Sequence, residues 1–134
     1  MINEGILNPN INSLLSRIRH TNTFVISDRG FPFWPQIETV DISLVAGIPR
    51  VVDVLRAIRA NFSICRVFMA EEFGRANEAG VKADFEQALK GLPVILEPHV
   101  ELKKRVPLAI GLIRTGDTAK YGNLILESGN LPKK

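Results

Sequence analysis

His20 and Asp28 flank an apolar run, Thr23-Phe24-Val25-Ile26-Ser27, in a chain of 134 residues with two histidines. A neutral imidazole both accepts and donates a proton, and its ordinary pKa of about 6.5 suits either duty near neutral pH. With a carboxylate at the far end of the run, His20 and Asp28 are the candidate catalytic pair. A purely structural reading of the same residues is also open: His20 ends a helix and Asp28 begins the turn Asp28-Arg29-Gly30-Phe31-Pro32. The second histidine, in Leu96-Glu97-Pro98-His99, follows a strand-like segment, and open α/β sheets collect their ligands at carboxyl ends of strands. Tyr121, Gly122 and Asn123 add a phenol, a flexible glycine and a carboxamide. Such groups bind hydroxyls without carrying charge, as a sugar or polyol site needs. On a strand, Tyr121 and Asn123 would face one side. The pair Glu71-Glu72 invites a catalytic reading, but neighbours on a helix point about 100° apart. A solvated first helical turn is the expectation for both.

The elements that must position these groups follow from periodicity. Asn8-Pro9-Asn10 offers an N-cap, and Ile11, Leu14, Leu15 and Ile18 recur at helical spacing, which predicts a helix ending near His20. Thr23 to Ser27 reads as a strand buried on both faces. Val40 to Leu44 reads as a second strand, and Gly47-Ile48-Pro49 leads into a helix through Val51, Val52, Leu55 and Ile58. A strand is expected from Ser63 to Ala70, a helical stretch from Glu71 to Lys90 stopped by Gly91, and a strand from Pro93 to Leu96. A helix over 98–105, a strand over 108–114 and a last strand over 123–126 complete the pattern. Alternating strands and helices imply an α/β fold: a single three-layer α/β/α domain over 1–134 with a mostly parallel or mixed central sheet. The segment Gly30-Phe31-Pro32-Phe33-Trp34-Pro35 is an ordered loop, whose aromatic residues pack against a neighbouring subunit or wall a ligand.

Composition sets the outer limits. With 46% hydrophobic and 23% charged residues the chain is an ordinary globule, and a formal charge of +3 is mild. The basic residues are dispersed apart from Lys103-Lys104-Arg105 and Lys133-Lys134, with no aromatic platform among them, which argues against nucleic acid. The one cysteine, Cys65, has no disulfide partner in the chain and reads as an unreactive thiol on a strand facing the core. No apolar run reaches membrane-spanning length and no leader pattern opens the chain, so a soluble cytoplasmic protein is expected. Nucleotide and metal motifs such as GxGxxG, the P-loop and HExxH are missing.

Several pieces, in order and spacing, resemble the ribose pyranase and fucose mutarotase family of small sugar-ring isomerases across roughly residues 1 to 129. They are Gly5-Ile6-Leu7-Asn8, Arg19-His20-Thr21, Ser27 to Pro32, Val40 to Leu44 with Gly47-Ile48-Pro49, Ala70-Glu71-Glu72, Ile113 to Asp117, and Tyr121 to Leu126. The resemblance implies a sugar mutarotase without metal, nucleotide or other cofactor, in which His20 moves the proton. Asp28, His99, Tyr121, Gly122 and Asn123 would hold the sugar. It also implies a ring-like homo-oligomer with sites between subunits. His99, Val40 to Leu44 with Gly47-Ile48-Pro49, and Ala70-Glu71-Glu72 look like the ribose branch, which makes D-ribose pyranase activity the first expectation. Phe31-Pro32 and Ala119 to Asn123 look like the fucose branch, which makes anomer exchange on L-fucose the alternative, with a non-catalytic sugar-binding module as a third. Arg29 stands where either branch has alanine, and Lys120 where the ribose branch has proline. The tail from Asn130 runs past the usual end of ribose-type chains.

Overall fold

The computed structural model describes residues 1–131; Lys133-Lys134 and the last part of the tail lie outside the described residues. Strands β1 (Thr23–Ser27), β2 (Glu38–Asp41), β3 (Ile64–Ala70), β4 (Val94–Glu97), β5 (Gly111–Arg114) and β6 (Leu124–Ser128) form one sheet in the order β2-β5-β1-β6-β3-β4. The β1–β5, β2–β5 and β3–β4 pairs are parallel. Strand β6 alone runs antiparallel, between β1 and β3. The sheet is therefore mixed, within the expected range.

Both faces are covered, which is why β1 carries an unbroken apolar run rather than an alternating one. Phe24 and Ile26 turn to a core shared with α1 (Pro9–Ser16), α2 (Val51–Arg59), α3 (Phe73–Ala76) and α4 (Ala79–Leu89). Val25 turns to the opposite core, with Phe31, Phe68, Leu102, Val106 and Ile125 beneath α5 (His99–Arg105) and the 3₁₀ turn Val106–Leu108. That is the expected three-layer arrangement. Phe68 is sealed on its outer side by the Arg105 guanidinium, 3.9 Å from the ring centroid, which Glu97 holds in place at 2.6 Å and 3.0 Å.

Several boundaries differ from the sequence reading, each for a local reason. Helix α1 is capped by Asn8, which accepts the Asn10 and Ile11 amides at 2.9 Å and 3.0 Å, but it stops at Ser16 rather than near His20. Residues 17–22 form a turn. The stretch 71–90 is two helices, because the Asn77 carboxamide takes the Phe73 carbonyl at 3.0 Å and breaks the ladder. Strand β2 lies at Glu38–Asp41 instead of 40–44, since its partner β5 ends opposite Asp41 and the Asp41 carboxylate then turns the chain by accepting the Ser43 amide at 2.9 Å. Strand β5 begins at Gly111, not Leu108, behind the 3₁₀ turn that contains Pro107. Cys65 is half-buried rather than core-facing, with its thiol donated to Glu127 at 3.2 Å; burial pushes its pKa up, so it stays protonated.

Gly116 closes the fold just past β5. It exchanges backbone hydrogen bonds with the 47–49 segment, Gly47 N–H to its carbonyl at 2.6 Å and its own N–H to Pro49 at 2.9 Å. A Cβ there would run into the carbonyl oxygens of Val45 and Ile48. Gly116→Ala should lower stability by about 1–3 kcal/mol, the usual cost of overpacking, measured by urea unfolding.

Candidate active site

Because β6 runs against its neighbours, its first residues lie at the edge where β1, β3, β4 and β5 end. Asn123, just before β6 and almost wholly buried, accepts the Asp28 backbone N–H at 2.8 Å and so ties the end of β1 to the start of β6. The Asp28 carboxylate accepts the Gly30 N–H at 3.0 Å. Burial raises its pKa above the usual carboxylate value, hydrogen bonds from Gly30, Asn123 and Phe31 oppose the rise, and the negative charge of Asp117 adds to it.

His99 is the first residue of α5. Its backbone N–H points at both carboxylate oxygens of Glu72, each 3.0 Å away. Its ring stands edge-on to Tyr121 at 5.1 Å and 78°, and to Phe31 at 6.2 Å and 74°. Burial lowers its pKa and the positive charge of Lys103 pushes the same way, while Glu72 and Asp28 pull in the other direction. The ring is therefore neutral at pH 7. Its Nδ1 is buried and has no partner among the described residues.

Tyr121 and Asn123 do not share a strand face, contrary to the sequence expectation. Tyr121 sits in a turn at φ +57° and β6 begins only at Leu124. The turn brings the phenol to His99 while the carboxamide goes to Asp28. Gly122 is buried against α4, where a Cβ would stand 3.2 Å from the Phe85 ring and from the Ala119 Cβ. It lets the turn pack down on α4.

Sequence reasoning missed the supports. Glu72, expected in a solvated helical turn, is half-buried and anchors α5. Asn77 clamps Lys120 from 43 residues away, donating to its carbonyl at 2.7 Å and accepting its N–H at 3.1 Å, which fixes the backbone next to Tyr121. Asp117 accepts the Ala119 and Val51 amides, each at 2.8 Å, and its carbonyl accepts the Arg29 N–H at 3.0 Å. Only Asp117 left a local trace, an aspartate two positions before the amide it turns on. Arg29 and Lys120, the departures from the family pattern, are both exposed. A cavity of about 440 Å³ lined by Asn77, Glu78, Asp84 and Lys120 borders the same loop, but Asp28, His99 and Tyr121 do not line it.

His20 is not part of this cluster. It precedes β1 and Asp28 follows it, so the five-residue strand separates them by roughly 17 Å at about 3.3 Å per residue. Its exposed ring lies at the opposite edge, against Gly129.

Fold and site first define a class: an α/β protein on one mixed sheet whose carboxyl edge gathers a carboxylate, a carboxamide, a phenol and a neutral imidazole. The chain belongs to the RbsD / FucU transport protein family, whose model matches residues 1–131. It is 36% identical over 129 residues to a D-ribose pyranase of Geobacillus kaustophilus, covering 96% of this chain and 94% of that one. It is also 36% identical over 131 residues to the D-ribose pyranase of Halalkalibacterium halodurans, covering 96% and 98%. Among solved structures, Bacillus subtilis RbsD complexed with D-ribose superposes at a TM-score of 0.88 with 30% identity, over 98% of this chain and all of the other. The fucose mutarotase of Streptococcus pneumoniae in complex with L-fucose, at 15% identity, shares the fold at 0.77 over 94% and 95%.

The His99 ring resonance should titrate with a midpoint below 6.5, followed by NMR with His20→Ala as the assignment control. Asp28→Asn should lower that midpoint further, because removing a nearby negative charge weakens the imidazolium. A midpoint at or above 6.5 would contradict the burial of this ring.

Proposed function

We propose that this chain is a D-ribose pyranase, a single-domain isomerase over 1–134 that interconverts the pyranose and furanose forms of D-ribose by acid-base ring opening. The observation that supports it most is the carboxyl-edge cluster of Asp28, His99, Tyr121 and Asn123, in a chain that superposes closely on a ribose-bound relative. Ring opening requires that a proton leave the anomeric hydroxyl as another reaches the ring oxygen. The open aldehyde then recloses through a different hydroxyl. Tyr121 and Asn123 hold sugar hydroxyls, the neutral His99 ring offers an acceptor or donor, and Asp28 holds a further hydroxyl or orients the transferring group. No step calls for a metal or nucleotide. The enzyme works in the cytoplasm, where the furanose form is supplied to a kinase. Anomer exchange on L-fucose is the second reading, carried by Phe31-Pro32 and the Ala119 to Asn123 segment; saturation-transfer NMR on each sugar separates the two, and exchange of neither would leave only a binding module.

His20 supplies the proton from a second copy of the chain. Within one chain it lies at the wrong edge of the sheet, so a complete site needs the amino edge of one copy against the carboxyl edge of the next. Such a head-to-tail contact repeats around a closed ring. Exposed apolar side chains mark both edges, Leu108 at 81% beside the start of β5 and Val100 at 59% in the first turn of α5.

His20→Ala and Asp28→Asn should each cost about 10²–10⁴-fold in exchange rate. Co-expressing the two variants should restore about a quarter of the sites, since random rings pair an intact His20 with an intact Asp28 at that frequency. No recovery would remove the shared site and with it this role for His20. Tyr121→Phe should weaken ribose binding by about 0.5–1.5 kcal/mol in calorimetry and leave the pH profile of exchange unchanged.

A further inference from the structure

The backbone around His20 is fastened to the end of β6. Thr21, at φ +69°, donates its N–H to Ser128 at 2.9 Å, and Ser128 donates back to Asn22 at 2.8 Å. The Asn22 side chain accepts the Arg19 N–H at 2.9 Å, and the Asn22 backbone N–H returns to the Arg19 carbonyl at 3.0 Å. These bonds fix the His20 Cα and leave its two side-chain torsions free. An exposed imidazole on a turn would ordinarily exchange among rotamers.

This ring instead lies over a residue without a side chain. Gly129, at φ +152°, is held by its N–H to the Ser63 carbonyl at 3.1 Å. A Cβ built on it would stand 3.2 Å from both Cε1 and Nδ1 of His20 and 3.4 Å from the Cys65 Sγ. Carbon atoms prefer about 3.5–4.0 Å, so the imidazole occupies the space that any other residue would fill. Behind that space the Cys65 thiol is itself fixed by Glu127 at 3.2 Å, and Glu127 by Arg66 at 3.0 Å.

We propose that Gly129 is a positioning residue for His20: its missing side chain, backed by Cys65, leaves a seat that holds the imidazole in one orientation toward the sugar bound by the next copy. The inference rests on the reading of His20 as the proton-transfer group. It predicts a rate effect without a binding effect, because the sugar-holding residues lie at the opposite edge of the sheet.

The test is Gly129→Ala, with exchange kinetics by saturation-transfer NMR, the His20 and His99 ring resonances, and thermal melting. The rate constant at saturation should fall by up to about 10-fold, since the ring must give by a few tenths of an ångström, with KM within about twofold. The His20 resonance should move and that of His99 should not. In a His20→Ala background, Gly129→Ala should cost nothing further. A folded Gly129→Ala variant with wild-type rate and an unmoved His20 resonance overturns the proposal while His20→Ala stays inactive; an active His20→Ala variant overturns the reading beneath it. Should Gly129→Ala fail to fold, Cys65→Leu presses on the same seat from β3, and there an unchanged rate overturns the proposal.

Discussion

The direction of β6 is the constraint on which both ends of the molecule depend. One strand running against β1 and β3 must begin where they end, and so the chain leaving β5 has to fold back across the carboxyl edge within residues 115–123. That return carries Tyr121 to His99 and Asn123 to the amide of Asp28. The same strand must finish where β1 begins, which sets Glu127, Ser128 and Gly129 beside the His20 turn. A parallel β6 would separate the phenol and carboxamide from the carboxylate by the width of the sheet.

The carboxylates at the carboxyl edge are alike in chemistry and unlike in task. Glu72 faces the first amide of α5, where the helix dipole favours a negative charge, and Asp117 does the same for Val51 at the start of α2. Both are committed to the scaffold. Asp28 instead takes hydrogen bonds from Gly30, Asn123 and Phe31 in surroundings whose burial makes its charge costly. His99 is kept neutral by burial first and by the positive charge of Lys103 second.

How much of this could be read from residues alone depended on distance along the chain. Strand β1, helix α2 and helix α5 were legible because the signals lie within the segment: a buried apolar run, a stripe at three and four, a proline before His99. The candidate site residues stand out in the sequence only as motif pieces at strand ends. What was not legible acts across the fold. Asn77 reads as one more polar residue in a helical stretch until Lys120 is beside it, and Glu72 until His99 is. The strand reading of Tyr121 and Asn123 failed because a positive φ at a tyrosine leaves no mark in the sequence. That His20 and Asp28 lie at opposite edges was implicit in their spacing, yet only the sheet shows that no loop brings them together.

Trp34 is the chain's one tryptophan, and it stands two rings from His99: its indole lies 6.2 Å from Phe31, whose ring lies 6.2 Å from the imidazole. The indole N–H is buried and finds no partner among the described residues, while the residue as a whole is only partly buried. A ligand that displaced the Phe31 ring would change the surroundings of that one chromophore. That edge of the sheet thus holds a single indole reporter, free of interference from any second tryptophan.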